Sequence, residues 1–397
     1  MSKEARRLSV AATLTVILFI AFFDTFTQIP LISPYAASLG AGAVMTGWIV
    51  GIYSLTNSFG NIAAGFVLDK WGRRLPLAIG LAWTGFAVFL YGLARTPEQL
   101  LAARAFHGLG GSILTPAIFA IAADTSASGQ TNRMMARIGA MIGVAAVIGP
   151  MASGILRQVW GPQGVFVTVF IVMAAGSLLA LTLPETLKKQ DKTSRREGSP
   201  ASVPLTAPAF RLVNLGSFGV SAGLGTLTYM IPLQLERQGF SAAQSSSVFT
   251  LFAILAVILM AVVGRKGYRP ATFALGFLFF AAAFAILSAS PAFAVAALGM
   301  ACFGVGFGML YPALNAHIAK LYPPEERGKA YGIFNFFWTM GIFVAPPVIG
   351  WATQFASWPA IYAAVSLAAL SVAGWLYARR EVLGAASARE AAPSAAV

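Results

Sequence analysis

Charge is what this sequence has least of. Only 10% of its 397 residues are charged and 58% are hydrophobic, whereas soluble domains carry about 25% charged residues. With a mean hydropathy of +0.76, most of its surface has to face lipid rather than water. The single cysteine, Cys302, excludes an internal disulfide and any multi-cysteine metal site, and two histidines are too few for a typical zinc or haem centre. The chain has no GxxxxGKS/T phosphate loop, no HExxH, and no soluble stretch large enough to hydrolyse ATP. ATP-driven pumping by this chain alone, redox chemistry and metal catalysis are therefore set aside. The expectation is a protein that is not an enzyme and needs no cofactor.

What the sequence has in abundance is apolar runs. A membrane-spanning helix needs about 20 mostly apolar residues, and runs of that length recur along the whole chain. The expected spans are 9–33, 43–68, 75–94, 98–124, 133–157 and 164–183, then 209–235, 243–264, 269–289, 291–321, 327–353 and 357–378. The fold class expected is an all-α membrane protein of twelve transmembrane helices.

Acids are scarce, 13 against 27 Lys and Arg, for a net charge of +14. Such a balance on its own would fit nucleic acid, but the cations gather in alternate loops rather than along one face. With the N-terminus inside, 23 of the 27 fall on the cytoplasmic side, Arg95, Arg157 and Arg237 fall opposite, and Arg104 lies within a span. That bias places both termini in the cytoplasm of a bacterial-type inner membrane. Lys3, Arg6 and Arg7 before an apolar run look like a secretory signal, yet the run continues at full spanning length through Asp24 to Pro30, so it is read as a retained first helix.

One long polar stretch, 184–208, divides the chain into an N-terminal six-helix bundle over 1–183 and a C-terminal one over 209–380, with a disordered tail at 381–397. A direct repeat supports the division. At an offset of 196 residues, Gly108 falls on Gly304, Gly110 on Gly306, Pro116 on Pro312, Pro150 on Pro346, Gly154 on Gly350 and Gln158 on Gln354. Glycine and proline inside a span mark close packing or a bend. Their recurrence in order therefore implies two halves of one shape, related by an axis along the membrane normal.

The loop after the second span reads Gly65-Phe66-Val67-Leu68-Asp69-Lys70-Trp71-Gly72-Arg73-Arg74. Gly65 permits close helix approach, Gly72 a tight turn, and Asp69 with the cations offers ion pairs and helix-end contacts. This loop resembles the signature loop of the major facilitator superfamily. The resemblance implies a cytoplasmic latch in which Asp69 sits near the start of span eleven, around Arg327 to Ala330, and Arg73 or Arg74 reaches Asp124. The corresponding stretch of the second half, 264–269, has no acid, so the latch is expected to be asymmetric. Arg104 to Gly111 resembles the arginine-bearing fourth helix of the same family. Gly139, Gly143, Gly149-Pro150 and Gly154 resemble the fifth-helix pattern of its drug/proton antiporter branch, which implies a twelve-helix exporter.

Asp24 is the one acid expected inside the hydrocarbon. A buried carboxylate has its proton affinity raised by desolvation and lowered by a nearby cation, the arrangement a site needs to gain and lose protons in different states. Asp24 lies about 22 Å from the inner end of its helix and Arg104 about 21 Å from the inner face, which is one depth. The resemblance implies that spans one, four, seven and ten line a central cavity, so the two are expected to pair there as the proton-coupling site. A static ion pair is the alternative. Gln28 lies one turn beyond Asp24 and His107 one turn beyond Arg104. These two, with Thr115, Tyr229, Phe307, Tyr311 and Asn315, are the substrate-cavity candidates. The function expected is a proton-gradient-driven antiporter exporting small organic or amphipathic molecules, working as a monomer in the lipid bilayer without nucleic acid. A symporter or facilitator on the same fold would carry the same motifs.

The charge bias makes a direct prediction. Cysteines introduced at Gly40 or Gly161 should react with an impermeant maleimide in intact cells, and cysteines at Ser199 or Ser394 only after the inner face is opened. External labelling at Ser199 would overturn the topology.

Overall fold

The computed structural model describes residues 3–125, 131–187, 207–266, 270–322, 327–379 and 381. Most of the expected linker, the basic turn at 267–269 and nearly all of the expected tail lie outside the described residues. The described chain is helical throughout, with thirteen helices: α1 (Lys3–Gln28), α2 (Ile32–Ser38), α3 (Ala43–Trp71), α4 (Arg74–Leu93), α5 (Pro97–Gly111), α6 (Leu114–Thr125), α7 (Thr131–Ala180), α8 (Pro208–Arg237), α9 (Ala242–Lys266), α10 (Pro270–Ala289), α11 (Phe293–Leu321), α12 (Arg327–Ala352) and α13 (Trp358–Ala378).

These helices make twelve spans. Span one is α1 continued by α2 and span four is α5 continued by α6, while α7 holds spans five and six. The break inside α7 is at Gly161, whose φ of +71° lies in the left-handed region that only glycine adopts cheaply, with Pro162 following. Nine stretches among the described residues are long and apolar enough to cross a membrane, one of them the two-span Arg137–Ala180. The two missing spans are α3 and α8, whose polar residues, such as Asn57 and Asn61 in α3 and Asn214 and Ser217 in α8, lower their hydropathy. Phe66, Leu178 and Leu367 are widely exposed, as side chains facing acyl chains are.

By contacts the chain divides into two compact units. One takes the described residues of 1–194 and 228–250, the other those of 195–227 and 251–397. In the first unit α7 runs along both α1 and α4, and α3 packs on α5. Residues 228–250, the turn joining α8 to α9, pack into this unit by named contacts. Tyr229 donates to the Ala43 carbonyl (3.1 Å) and Ser33 to the Thr228 carbonyl (3.2 Å). Arg157 forms a two-pronged ion pair with Glu236, with Nη2 to Oε2 at 2.8 Å. In the second unit α10 packs against α11 and α13.

The repeated glycines do the same work in each unit. Gly108 presses against the α3 backbone at Tyr53 and Asn57, and Gly304 presses against the α9 backbone, where an added Cβ would meet the Phe252 oxygen at 2.6 Å. A Cβ at Gly110 would strike the Trp83 ring of α4 at 2.7 Å, and one at Gly306 would lie 2.8 Å from the Gly276 oxygen of α10. Without a driving force between apolar helices in lipid, close backbone approach at small residues is what holds them together.

Gly108→Ala should therefore unfold or strongly destabilise the protein, because backbone as well as the Thr56 side chain occupies the space. Gly139→Ala, whose Cβ would meet nothing within 4 Å, should leave the thermal midpoint in detergent unchanged. Equal melting of the two variants would contradict this packing.

Candidate functional site

Four buried side chains of the first unit, Asp24, His107, Tyr91 and Arg104, form one chain of contacts. Asp24 on α1 and His107 on α5 are each 1% exposed and Arg104 is 6% exposed. His107 Nε2 lies 3.0 Å from Asp24 Oδ2, and His107 Nδ1 lies 2.6 Å from the hydroxyl of Tyr91 on α4. Arg104 Nη1 reaches that same hydroxyl at 3.5 Å. Its other two nitrogens donate to backbone, Nε to the Ile49 carbonyl and Nη2 to the Val50 carbonyl, both 3.0 Å. The rings of Tyr53 and Tyr91 flank the cation, 5.1 and 5.8 Å from its central carbon, where aromatic faces attract positive charge.

The expected direct pair of Asp24 with Arg104 is thus replaced by a pair of Asp24 with His107. Arg104 and His107 are one turn apart on α5 but diverge about its axis. The arginine is drawn to the α3 backbone, and the imidazole is left facing α1. The polarity of the chain follows from Arg104, which has donors and no acceptor. Tyr91 oxygen accepts from it, and in the tautomer that takes the Tyr91 proton on Nδ1 the imidazole presents its Nε2 proton to the Asp24 carboxylate. Asp24 Oδ1, and both polar atoms of the buried Gln28, have no hydrogen-bond partner among the described residues.

The remaining cavity candidates do not join this cluster. Thr115 is exposed on α6. The hydroxyl of Tyr229 is engaged with Ala43. Phe307 and Tyr311 lie in the second unit, stacked at 5.6 Å, with Trp338 of α12 edge-on to both at 6.0 and 4.9 Å. Asn315 donates to the Tyr311 carbonyl at 2.8 Å, and its own carbonyl accepts from the Tyr331 hydroxyl at 3.0 Å.

At the loop after α3, Arg73 rather than Arg74 meets Asp124, with Nη1 to Oδ2 at 2.5 Å. Asp69 is exposed on the last turn of α3. Gly72 has a φ of +86° and a Cβ there would lie 2.5 Å from Glu185, so the position needs glycine both for its turn and for space. Glu185 accepts from the Arg73 and Arg74 backbone N–H groups at 3.0 to 3.2 Å, capping α4. Burial pushes the Glu185 carboxyl up, but backbone donors from Leu187, Arg73, Arg74 and Thr186 outweigh it and hold the group below its ordinary 4.5. Two expectations need correction. Among the described residues nothing lies within 4 Å of where a Cβ would be at Gly65, so no close helix approach is seen there, and the same is true of Gly139. In the fifth span the close approaches are at Gly149, where a Cβ would lie 2.6 Å from Phe26, and at Gly154, 2.7 Å from Ser246. Gly143 is buried and Pro150 lies inside α7.

Sequence comparison decides the family. The pattern of the Major Facilitator Superfamily matches residues 14–267 and 214–396. The chain belongs to the Major Facilitator Superfamily. As a member it is a multi-pass membrane transporter of small molecules. It is 25% identical over 373 residues to Multidrug resistance protein 1 of Bacillus subtilis (strain 168), covering 90% of this chain and 94% of that protein. It is 24% identical over 347 residues to Quinolone resistance protein NorA of Staphylococcus aureus (strain COL), covering 84% and 87%. It is 26% identical over 343 residues to the inner membrane transport protein YajR of Escherichia coli (strain K12), covering 82% and 73%. Among solved structures the fold matches a bacterial homolog of the human lysosomal transporter Spinster, with TM-score 0.77 and 16% identity over 98% of both chains. It also matches the nucleoside transporter NupG, with TM-score 0.78 and 14% identity over 93% of this chain and 99% of that one.

Tyr91, Tyr53, Glu185 and Trp338 were not singled out from sequence. Only Glu185 carried a usable signal, as an acid at a span end on the arginine-rich side. Its charge on the α4 terminus is worth about 0.3–1 kcal/mol, toward the low end because the group is exposed. A carboxyl held below its unfolded value stabilises above that value and loses the contribution as pH falls through its folded value. Glu185→Gln should therefore lower the thermal midpoint by about 1–3 °C at pH 7, with the difference closing below pH 4. A difference that persists at low pH would show that Glu185 acts through something other than its charge.

Proposed function

We propose that this transporter is a proton-coupled exporter of small organic or amphipathic molecules, with Asp24 as its proton-coupling carboxylate and His107 as the partner that shares the proton. The observation that carries this reading is the Asp24 to His107 contact, a carboxylate and an imidazole sealed from solvent at 3.0 Å. Buried ionisable groups inside a membrane are expensive, and they are kept where an ion or proton must be handled. With Asp24 ionised, the Nε2 proton of His107 and the nearby guanidinium hold the carboxylate charge. A cationic substrate or an incoming proton competes for it. Arg104 acts on Asp24 through Tyr91 and His107, as a positioning residue. The multidrug and quinolone resistance relatives support export rather than uptake.

The two halves, 1–183 and 209–380, work by alternating access about a midplane site. The N- and C-termini face the cytoplasm, and the protein acts as a monomer. On this reading Asp69 biases the conformational equilibrium through the start of α12 without touching substrate. Gln28, with its unpartnered amide beside Asp24, is the first candidate for a substrate contact. The aromatic cluster at Phe307, Tyr311 and Trp338 supplies a flat apolar surface for amphipathic molecules.

In proteoliposomes Asp24→Asn should abolish pH-gradient-driven accumulation of a lipophilic cation while leaving its binding within a few fold. The amide keeps the shape but cannot cycle a proton. His107→Gln should keep transport but move its pH dependence. Uphill transport by Asp24→Asn under a pH gradient would sink the assignment, and proton flux in the same direction as substrate would replace export with symport.

A further inference from the structure

The second unit carries a cleft with no part in the site above. It occupies about 780 Å³ between the first turns of α8, the middle of α12 and the last turn of α13. Its walls are apolar and aromatic, with Phe210, Phe337 and Trp375 among them, and its two cations are Arg211 and Arg379. Phe337 and Trp375 are 36% and 41% exposed, so the cleft opens at the protein surface. Within it Asn214 is 3% exposed; its Nδ2 donates to the Phe210 carbonyl at 2.9 Å, and its Oδ1 has no partner. Both arginines belong to the arginine-rich end of the spans, where the apolar helix surface gives way to the polar loops.

We propose that this cleft is a binding site for an anionic phospholipid with a hydroxylated headgroup, of the phosphatidylglycerol kind, taken from the leaflet that the arginine-rich loops face. Each wall fits one part of such a molecule. The arginines supply the positive charge that a phosphodiester seeks and the planar donor array that matches its oxygens. Trp375 lies one turn before Arg379 at the basic end of α13, and indole rings favour the interface at such span ends. The exposed side chains of Leu215 and Phe337 offer apolar surface for an acyl chain. The buried Asn214 oxygen, an acceptor with nothing to accept, suits a headgroup hydroxyl. A soluble anion would leave the apolar walls uncovered. Basic pockets between helices on the loop side are where anionic headgroups are recognised.

The test uses the purified full-length protein in detergent, delipidated and then titrated with phosphatidylglycerol or phosphatidylcholine of equal chain length and followed by native mass spectrometry. A photoactivatable phosphatidylglycerol maps the contact on the unmodified protein. The proposal expects phosphatidylglycerol to be retained at least fivefold better than phosphatidylcholine, with crosslinks in α8, α12 or α13 at the cleft. Arg211→Gln and Arg379→Gln should each lower retention by about fivefold, the value of one basic side chain near an anionic surface, while Arg211→Lys should keep most of it. Asn214→Leu should erase the preference for phosphatidylglycerol over phosphatidic acid. Equal retention of the two lipids, crosslinks confined to other helices, or displacement by millimolar glycerol phosphate would each overturn it, the last by marking a soluble-anion site. The measurement involves no transport, so its failure leaves the export reading intact, and the reverse also holds.

Discussion

Everything in the first unit is arranged around the cost of holding charge away from water. An isolated ion in hydrocarbon is penalised by several kcal/mol even after relaxation, so Arg104 and Asp24 persist only because each is given partners. For Arg104 these are two carbonyls of α3, a hydroxyl of α4 and two aromatic faces. For Asp24 the partner is His107. Satisfying the arginine ties α5 to α3 and α4, and satisfying the carboxylate ties α5 to α1. Four helices are thereby held at one depth by a handful of polar contacts, in a setting where apolar packing gives little direction.

The second unit brings its helices together at matching glycines, Gly304 and Gly306 standing where Gly108 and Gly110 do. Where the first unit has its polar chain, however, it has rings. Phe303 sits among Phe252, Phe280 and Phe284, and Phe307 continues that series to Trp338. A shared backbone plan thus supports two chemistries, one half specialised for charge and the other for apolar surface. Within one fold family it is the site that carries the activity.

The fold was legible in the sequence because its signals are local. Spans announce themselves by length and hydropathy, and the repeat by glycines and prolines whose meaning is backbone shape. The site was legible in part. Asp24, Arg104 and His107 stand out because ionisable residues inside apolar helices are rare, but which of them touch depends on rotation about the helix axis, which residue spacing gives only coarsely. Depth along the helices brings Asp24 and Arg104 to one level, but His107 and the Tyr91 hydroxyl stand between them. Tyr91 has no signal at all, being one of ten tyrosines whose hydroxyl gains meaning only from its neighbours. Gly65 and Gly139 mislead in the opposite way, since glycine in a span suggests contact whether or not a neighbour is there.

The polarity of the Arg104 to Asp24 chain has one more consequence, for electrical insulation. Protons hop along hydrogen bonds only through groups that both accept and donate. His107 and Tyr91 qualify, but Arg104 does not, because a guanidinium that stays charged has no lone pair to offer. The chain is therefore a dead end. A proton arriving at Asp24 can be shared with the imidazole and returned, but it has no exit past the arginine toward α3. On the proton-coupled reading proposed above, such a dead end would let the site bind and release a proton without serving as a proton wire across the membrane.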